Sequence, residues 1–104
     1  MTRNIESTSD TLIKINSLQR RIIVASIVYY ELDNCIMSDY QYDSLVKQLK
    51  KLMDDYPEKE QSRYWYVYKD WTGASGFFLY YHLNFDDQCM LLESAKCAVE
   101  DIMR

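Results

Sequence analysis

The stretch SDYQYDSLVKQLKKLMDDYP, residues 38–57, constrains this chain more than any other because it specifies both ends of one helix. Ser38 and Gln41 have the spacing of a capping box, in which the hydroxyl accepts from a free first-turn amide and the Gln side chain reaches back. Asp39 and Asp43 fall in the first two turns, where the helix dipole favours a carboxylate by roughly 0.3–1 kcal/mol. Pro57 ends the helix, since its ring lacks an N–H and drives Tyr56 out of helical geometry. Between these ends Tyr42, Val46, Leu49, Met53 and Tyr56 recur at helical steps, with Leu45 and Leu52 beside them. A face that broad has to be buried against a partner.

The segment before it supplies one. Over residues 10–32, Leu12, Ile15, Leu18, Ile22, Ala25, Tyr29 and Leu32 form a second helical stripe, with Ser9 as its expected cap and residues 1–9 as a flexible tail. Ile23, Val24, Ile27 and Val28 widen that stripe beyond what one neighbour can cover. Asn34 closes the helix, and a short turn to Ser38 brings the next one back antiparallel, giving a helical hairpin over residues 10–57. The second half must complete the cover. After a charged connector at 58–62, RYWYVYKDW (63–71) and FFLYYHL (77–83) flank a TGASG loop, and either two short helices or one β-hairpin fits them. Asn84, three residues before Asp87, caps a last helix to Met103 whose inward face is read as Phe85, Cys89, Leu92, Ala95, Val99 and Ile102. The expected fold is mainly α, one small domain over 10–104 with an aromatic-rich cover and C-terminal helix at 62–103; the alternative is α+β with a hairpin at 63–83.

Composition narrows the function. At 104 residues and 48% apolar content the chain has material for one core. A net charge of -4 argues against duplex nucleic acid as a partner, because such affinity rests on neutralising phosphates. Three cysteines without a CxxC pair, and no signal peptide, point to reduced thiols in a cytoplasm, and no apolar run reaches the ~20 residues of a membrane span. Catalytic motifs are missing: Lys69 stands in KDWTG, the wrong order for the KxDG of nucleotidyl transfer. Gly73-Ala74-Ser75-Gly76 is a residue short of a GxSxG elbow, and His82 is the single histidine, so neither catalytic nor metal-ligating residues are assigned. The aromatic block 64–71 could stack single-stranded bases, but only Arg63 and Lys69 accompany it, and core packing is the better reading.

The pattern YY, then LD, then SDxxYDxLxxxL, then YPE resembles the small helical Ia domain that begins bacterial NAD-dependent DNA ligases. The resemblance runs without a gap over residues 29–58 and more loosely from 12. It implies a helical domain that grips the nicotinamide mononucleotide half of NAD, with Tyr29, Asp39, Tyr42 and Asp43 at the ligand-binding positions and Tyr30 where the family often has His. Tyr30 therefore removes a nitrogen donor from that set, while Cys35 and Ile36 depart from the family's turn. In those ligases an adenylation domain closes over the other half of NAD; here the second half of the chain would have to provide that wall, with Trp65, Tyr68 or Trp71 as candidates. Two functions follow as expectations. One is a non-catalytic, stand-alone protein-interaction module or small inhibitor, of the kind a phage or mobile element directs at a host protein, with a second copy of the chain as another candidate partner. The other is a nicotinamide nucleotide binder, taking NMN or NAD.

Overall fold

The computed structural model describes residues 2–73 and 76–103, with side chains from Asp10 to Ile102, and leaves Ala74 and Ser75 of the TGASG loop outside the described residues. Its elements are α1 (Thr2–Tyr30), α2 (Asp39–Asp55), a 3-10 turn (Lys59–Gln61), α3 (Trp65–Tyr68), α4 (Leu79–His82) and α5 (Phe85–Met103). Among the described residues there is no strand, so 63–83 forms two short helices and the β-hairpin alternative falls away. The mainly α expectation holds.

α1 is the axis of the molecule. Every residue from Ile22 to Val28 is buried, which a helix that is apolar all round requires, and α2, α4 and α5 supply the cover. The helix begins at Thr2, so Ser9 lies inside it and not at its start. No Gly or Pro interrupts residues 2–9, and once a helix is nucleated each further residue adds a hydrogen bond at little cost. At the other end Asp33 takes φ 50°, a left-handed conformation that Asp tolerates better than most residues, and turns the chain toward α2.

α2 follows its local code. The Ser38 hydroxyl accepts from the Gln41 amide at 3.1 Å, and the Gln41 side chain accepts from the Ser38 amide at 2.9 Å. Tyr56 is extended at φ -91°, ψ 115°, as the residue before Pro57 must be. Leu45, Leu49, Met53 and Tyr56 are buried, with Tyr42, Val46 and Leu52 half-buried beside them. Gln19 of α1 reaches the Met53 sulfur of α2 and Ser26 reaches Tyr42, so the two helices run antiparallel.

Two polar nodes lock the second half onto this hairpin. Gln19, fully buried in α1, donates to Ser62 Oγ at 2.9 Å and accepts from the Tyr64 amide at 3.1 Å, fixing the chain as it leaves α2. Tyr68, also buried, donates its hydroxyl to the Gln19 carbonyl at 2.8 Å, and burial pushes that phenol well above its ordinary value. The second node is Asp87, 3% exposed, which accepts from Arg63 at 2.5 and 3.2 Å and from the Tyr66 hydroxyl. The Asp87 amide in turn donates to Asn84 Oδ1 at 2.8 Å, the expected cap of α5.

This node corrects the reading of α5. With Asp87 turned inward, Leu91 and Ala95 are buried and Leu92 and Val99 half-buried, while Phe85, Cys89 and Ile102 are exposed. The middle of the expected face is right; Phe85 and Cys89 are rotated away from the line of Leu91 and Ala95, and Ile102 keeps that line but is exposed at the end of the helix. The aromatic block 64–71 is core: Tyr64, Val67 and Tyr68 are buried, and Trp71 packs edge-on against Tyr68 at 4.9 Å.

Candidate functional site

The end of α1, the loop to α2 and the first turn of α2 enclose a cleft of about 210 Å³. Its lining is Ala25, Ser26, Tyr29 and Tyr30 from α1, Cys35, Ile36 and Met37 from the loop, and Asp39 and Tyr42 from α2. The local reasons are those given above: α1 stops at Tyr30, Asp33 reverses the chain, and the capping box starts α2 so that Asp39 and Tyr42 face back across the gap.

Tyr42 forms the floor. Its oxygen lies 3.1 Å from Ser26 Oγ, and because the Ser26 hydroxyl donates its one proton to the Ile22 carbonyl at 2.8 Å, Tyr42 is the donor between them. Burial is the main reason the Tyr42 phenol is raised, and the negative charge of Asp43 adds to the rise. The phenol is therefore protonated at neutral pH.

The second half closes the back of the floor. Gly76 is buried against this pair, and a Cβ there would fall well inside contact distance of both Tyr42 Oη and Ser26 Oγ. Phe77, next in the chain, meets the Tyr30 ring edge to face at 5.1 Å, and Tyr30 meets Tyr29 the same way at 4.9 Å. Tyr81 of α4 donates to the Glu31 carboxylate at 2.9 Å, which raises the Tyr81 phenol and ties α4 to the end of α1. The rim is thus a row of partly exposed rings supported from behind.

Of the five residues singled out from the sequence, Tyr29, Tyr30, Asp39 and Tyr42 line the cleft. Asp43 does not; it is exposed on α2 and acts on the site through its charge on Tyr42. None of Trp65, Tyr68 and Trp71 lines it, because Tyr68 is consumed by the core and Trp71 opens onto a different groove with Phe78 and His82. The supporting wall comes instead from Gly76 and Phe77. Sequence reasoning missed these two and Ser26, although a lone serine inside the apolar run 22–28 was a signal that something polar must meet it.

The cleft is smaller than the roughly 300–1,000 Å³ of pockets for drug-sized ligands, so it has room for one ring and its sugar and not for a dinucleotide. Tyrosine rings can stack or edge a flat heterocycle, and Asp39 can accept from sugar hydroxyls. Among the described residues no cluster of His, Cys, Asp and Glu could hold a metal ion, and no helix is long and apolar enough to cross a membrane.

Comparison with known proteins bears on this same segment. Residues 8–62 match the family described as DNA ligase-like, N-terminal NAD+-binding domain, a span that contains every lining residue and ends before α3. Among curated proteins, a DNA ligase of Dehalococcoides mccartyi strain BAV1 is 39% identical over 54 residues, covering 52% of this chain and 8% of the ligase. A DNA ligase of Onion yellows phytoplasma is 44% identical over 45 residues, covering 43% of this chain and 7% of the ligase. The chain thus spans less than a tenth of the length of these relatives, and no solved structure matches it significantly. With the family match extending over more than half its residues, this chain belongs to the DNA ligase-like, N-terminal NAD+-binding domain family.

Proposed function

We propose that this protein is a binding module for the nicotinamide mononucleotide moiety, free or as part of NAD, and that it performs no chemistry by itself. The observation that carries this reading is the convergence of Tyr29, Tyr30, Asp39 and Tyr42 on one cleft inside the family-matched segment. Tyr29 and Tyr30 would contact the nicotinamide ring and Asp39 the ribose, with Tyr42 as the floor. With only about 210 Å³ enclosed, millimolar affinity is expected, about -4 kcal/mol. Titrating NMN and NAD while following backbone amide shifts tests it. Saturable shifts confined to the cleft and weakened by Tyr29→Ala are expected; no response at several millimolar ligand would end this reading.

A second reading, a protein-interaction module, is favoured by one feature of the second half. Phe78 and Tyr81 are 62% and 54% exposed and continue the ring row of Tyr30 and Phe77 away from the cleft. Contiguous exposed aromatics of that kind mark contact surfaces. Here a partner captured from lysate should be lost on Phe78→Ser with Tyr81→Ser, and sedimentation would report a second copy as that partner. Capture unaffected by the double substitution counts against it.

A further inference from the structure

We infer that the cleft selects its ligand by charge: it takes the cationic nicotinamide ring with its sugar, a riboside, and gains nothing from the 5′-phosphate. This rests on the nucleotide-binding reading and goes beyond it by naming which part of the nucleotide is recognised.

The lining carries one formal charge at neutral pH, that of Asp39. Around it, residues 22–46 hold Glu31, Asp33, Asp39 and Asp43 and not one Lys, Arg or His. The cations that bracket this segment face elsewhere. Arg21 lines a separate groove with Tyr40, Gln41 and Gln48, which adjoins the cleft at Ile36 and Met37, and Lys47, Lys50 and Lys51 line another along α2. Behind the cleft, residues 76–83 bring only His82, which opens onto the groove with Trp71 and Phe78. Among the described residues the positive feature near the mouth is the N-terminus of α2, and it is partly answered: Gln41 and Ser38 satisfy each other's amides, and the Asp39 carboxylate sits in the first turn beside the remaining ones. A phosphate placed here meets carboxylates and no donor cation. An N-alkylated nicotinamide ring is a flat cation, and it meets tyrosine π-faces and a carboxylate, both of which attract it.

Amide-shift titration of the full chain with four probes separates the possibilities: nicotinamide, N-methylated nicotinamide, nicotinamide riboside and NMN. At low salt the two phosphate-free cations should bind about three- to tenfold more tightly than neutral nicotinamide. NMN should be no tighter than the riboside. Added salt should narrow the gap between cation and neutral ring, and Asp39→Asn should narrow it too while circular dichroism stays unchanged. NMN binding about tenfold more tightly than the riboside, or nicotinamide matching the cations, overturns the inference while leaving nucleotide binding intact. Silence from all four probes removes both.

Discussion

Gly76→Ala is the substitution that most directly tests how the two halves of the chain make the cleft. The new methyl group would fall inside contact distance of Tyr42 Oη and Ser26 Oγ and at 3.3 Å from Ser26 Cβ. Ser26 cannot retreat, since it is buried in α1 and tethered to Ile22. Tyr42 can swing outward, but only by surrendering its hydrogen bond to Ser26, a loss of about 0.5–1.5 kcal/mol. Residual overpacking adds about 1–3 kcal/mol. The sum, about 2–4 kcal/mol, corresponds to a melting temperature lowered by about 10–30 °C in a domain of this size. Thermal unfolding followed by circular dichroism measures it, and the same variant should lose its response to nicotinamide ligands because Tyr42, the floor, is then displaced into the cleft. The cause can be isolated by adding Tyr42→Phe and Ser26→Ala, which remove both clashing oxygens and should restore much of the loss. A melting temperature within about 2 °C of the parent, or strictly additive effects in the combined variant, would refute the reasoning.

Three further outcomes are expected. Gln19→Leu leaves the buried Tyr64 amide without its acceptor and removes the donor to Ser62 Oγ, which keeps its bond to the Lys59 carbonyl, and should cost about 1–3 kcal/mol in urea denaturation. Asp87→Asn should cost about 1–3 kcal/mol near neutral pH by weakening the Arg63 pair, discounted because Arg63 is half-exposed and can be resolvated. The Arg63 hydrogen bonds, with those from Tyr66 and Asn84, hold the Asp87 carboxyl below its ordinary value, so its contribution is complete above the unfolded range near pH ~4 and is lost as pH falls through the lower folded value. Stability of the parent should therefore drop on acidification through that window, and the drop should be smaller in Asp87→Asn; equal acid profiles would exclude the mechanism. Ser38→Ala should cost about 1 kcal/mol through loss of the cap, read as a shift in denaturation midpoint with unchanged slope.

The parts of the fold that could be read in advance are those whose determinants lie close together in the chain. α2 is the clearest: Ser38, Gln41 and Pro57 act within a turn of where they sit, and the observed cap geometry follows them. The buried run from Ile22 to Val28 was likewise legible, because apolar residues on every side of a helix leave no other arrangement. The start of α1 was not, since Ser9 has the chemistry of a cap but nothing before it forces the helix to stop. α3 and α4 are four residues each, too short for periodicity to separate them from strands, and they exist through packing on α1 and on each other.

The rotation of α5 and the back of the cleft were illegible for a shared reason: each depends on a pair distant in sequence. Phe85, Cys89, Leu92 and Val99 make as good an apolar stripe as Leu91 with Ala95, and hydrophobicity alone cannot choose between them. The choice falls to Asp87, which is buried only because Arg63, 24 positions earlier, arrives with two donors; removing that partner would leave an uncompensated carboxylate inside. Gly76 is the same case in the cleft. In sequence it belongs to a turn-forming TGASG, and its need for a missing side chain is visible only once Ser26 and Tyr42 are seen against it. The family-matched segment contributes the lining, and the remainder of the chain keeps that lining in position: Gly76 on the Tyr42 floor, Phe77 on Tyr30, Tyr81 on Glu31. Severing residues 63–104 should therefore loosen the end of α1, which loses Phe77 on Tyr30 and Tyr81 on Glu31, and abolish ligand response even though every lining residue is retained.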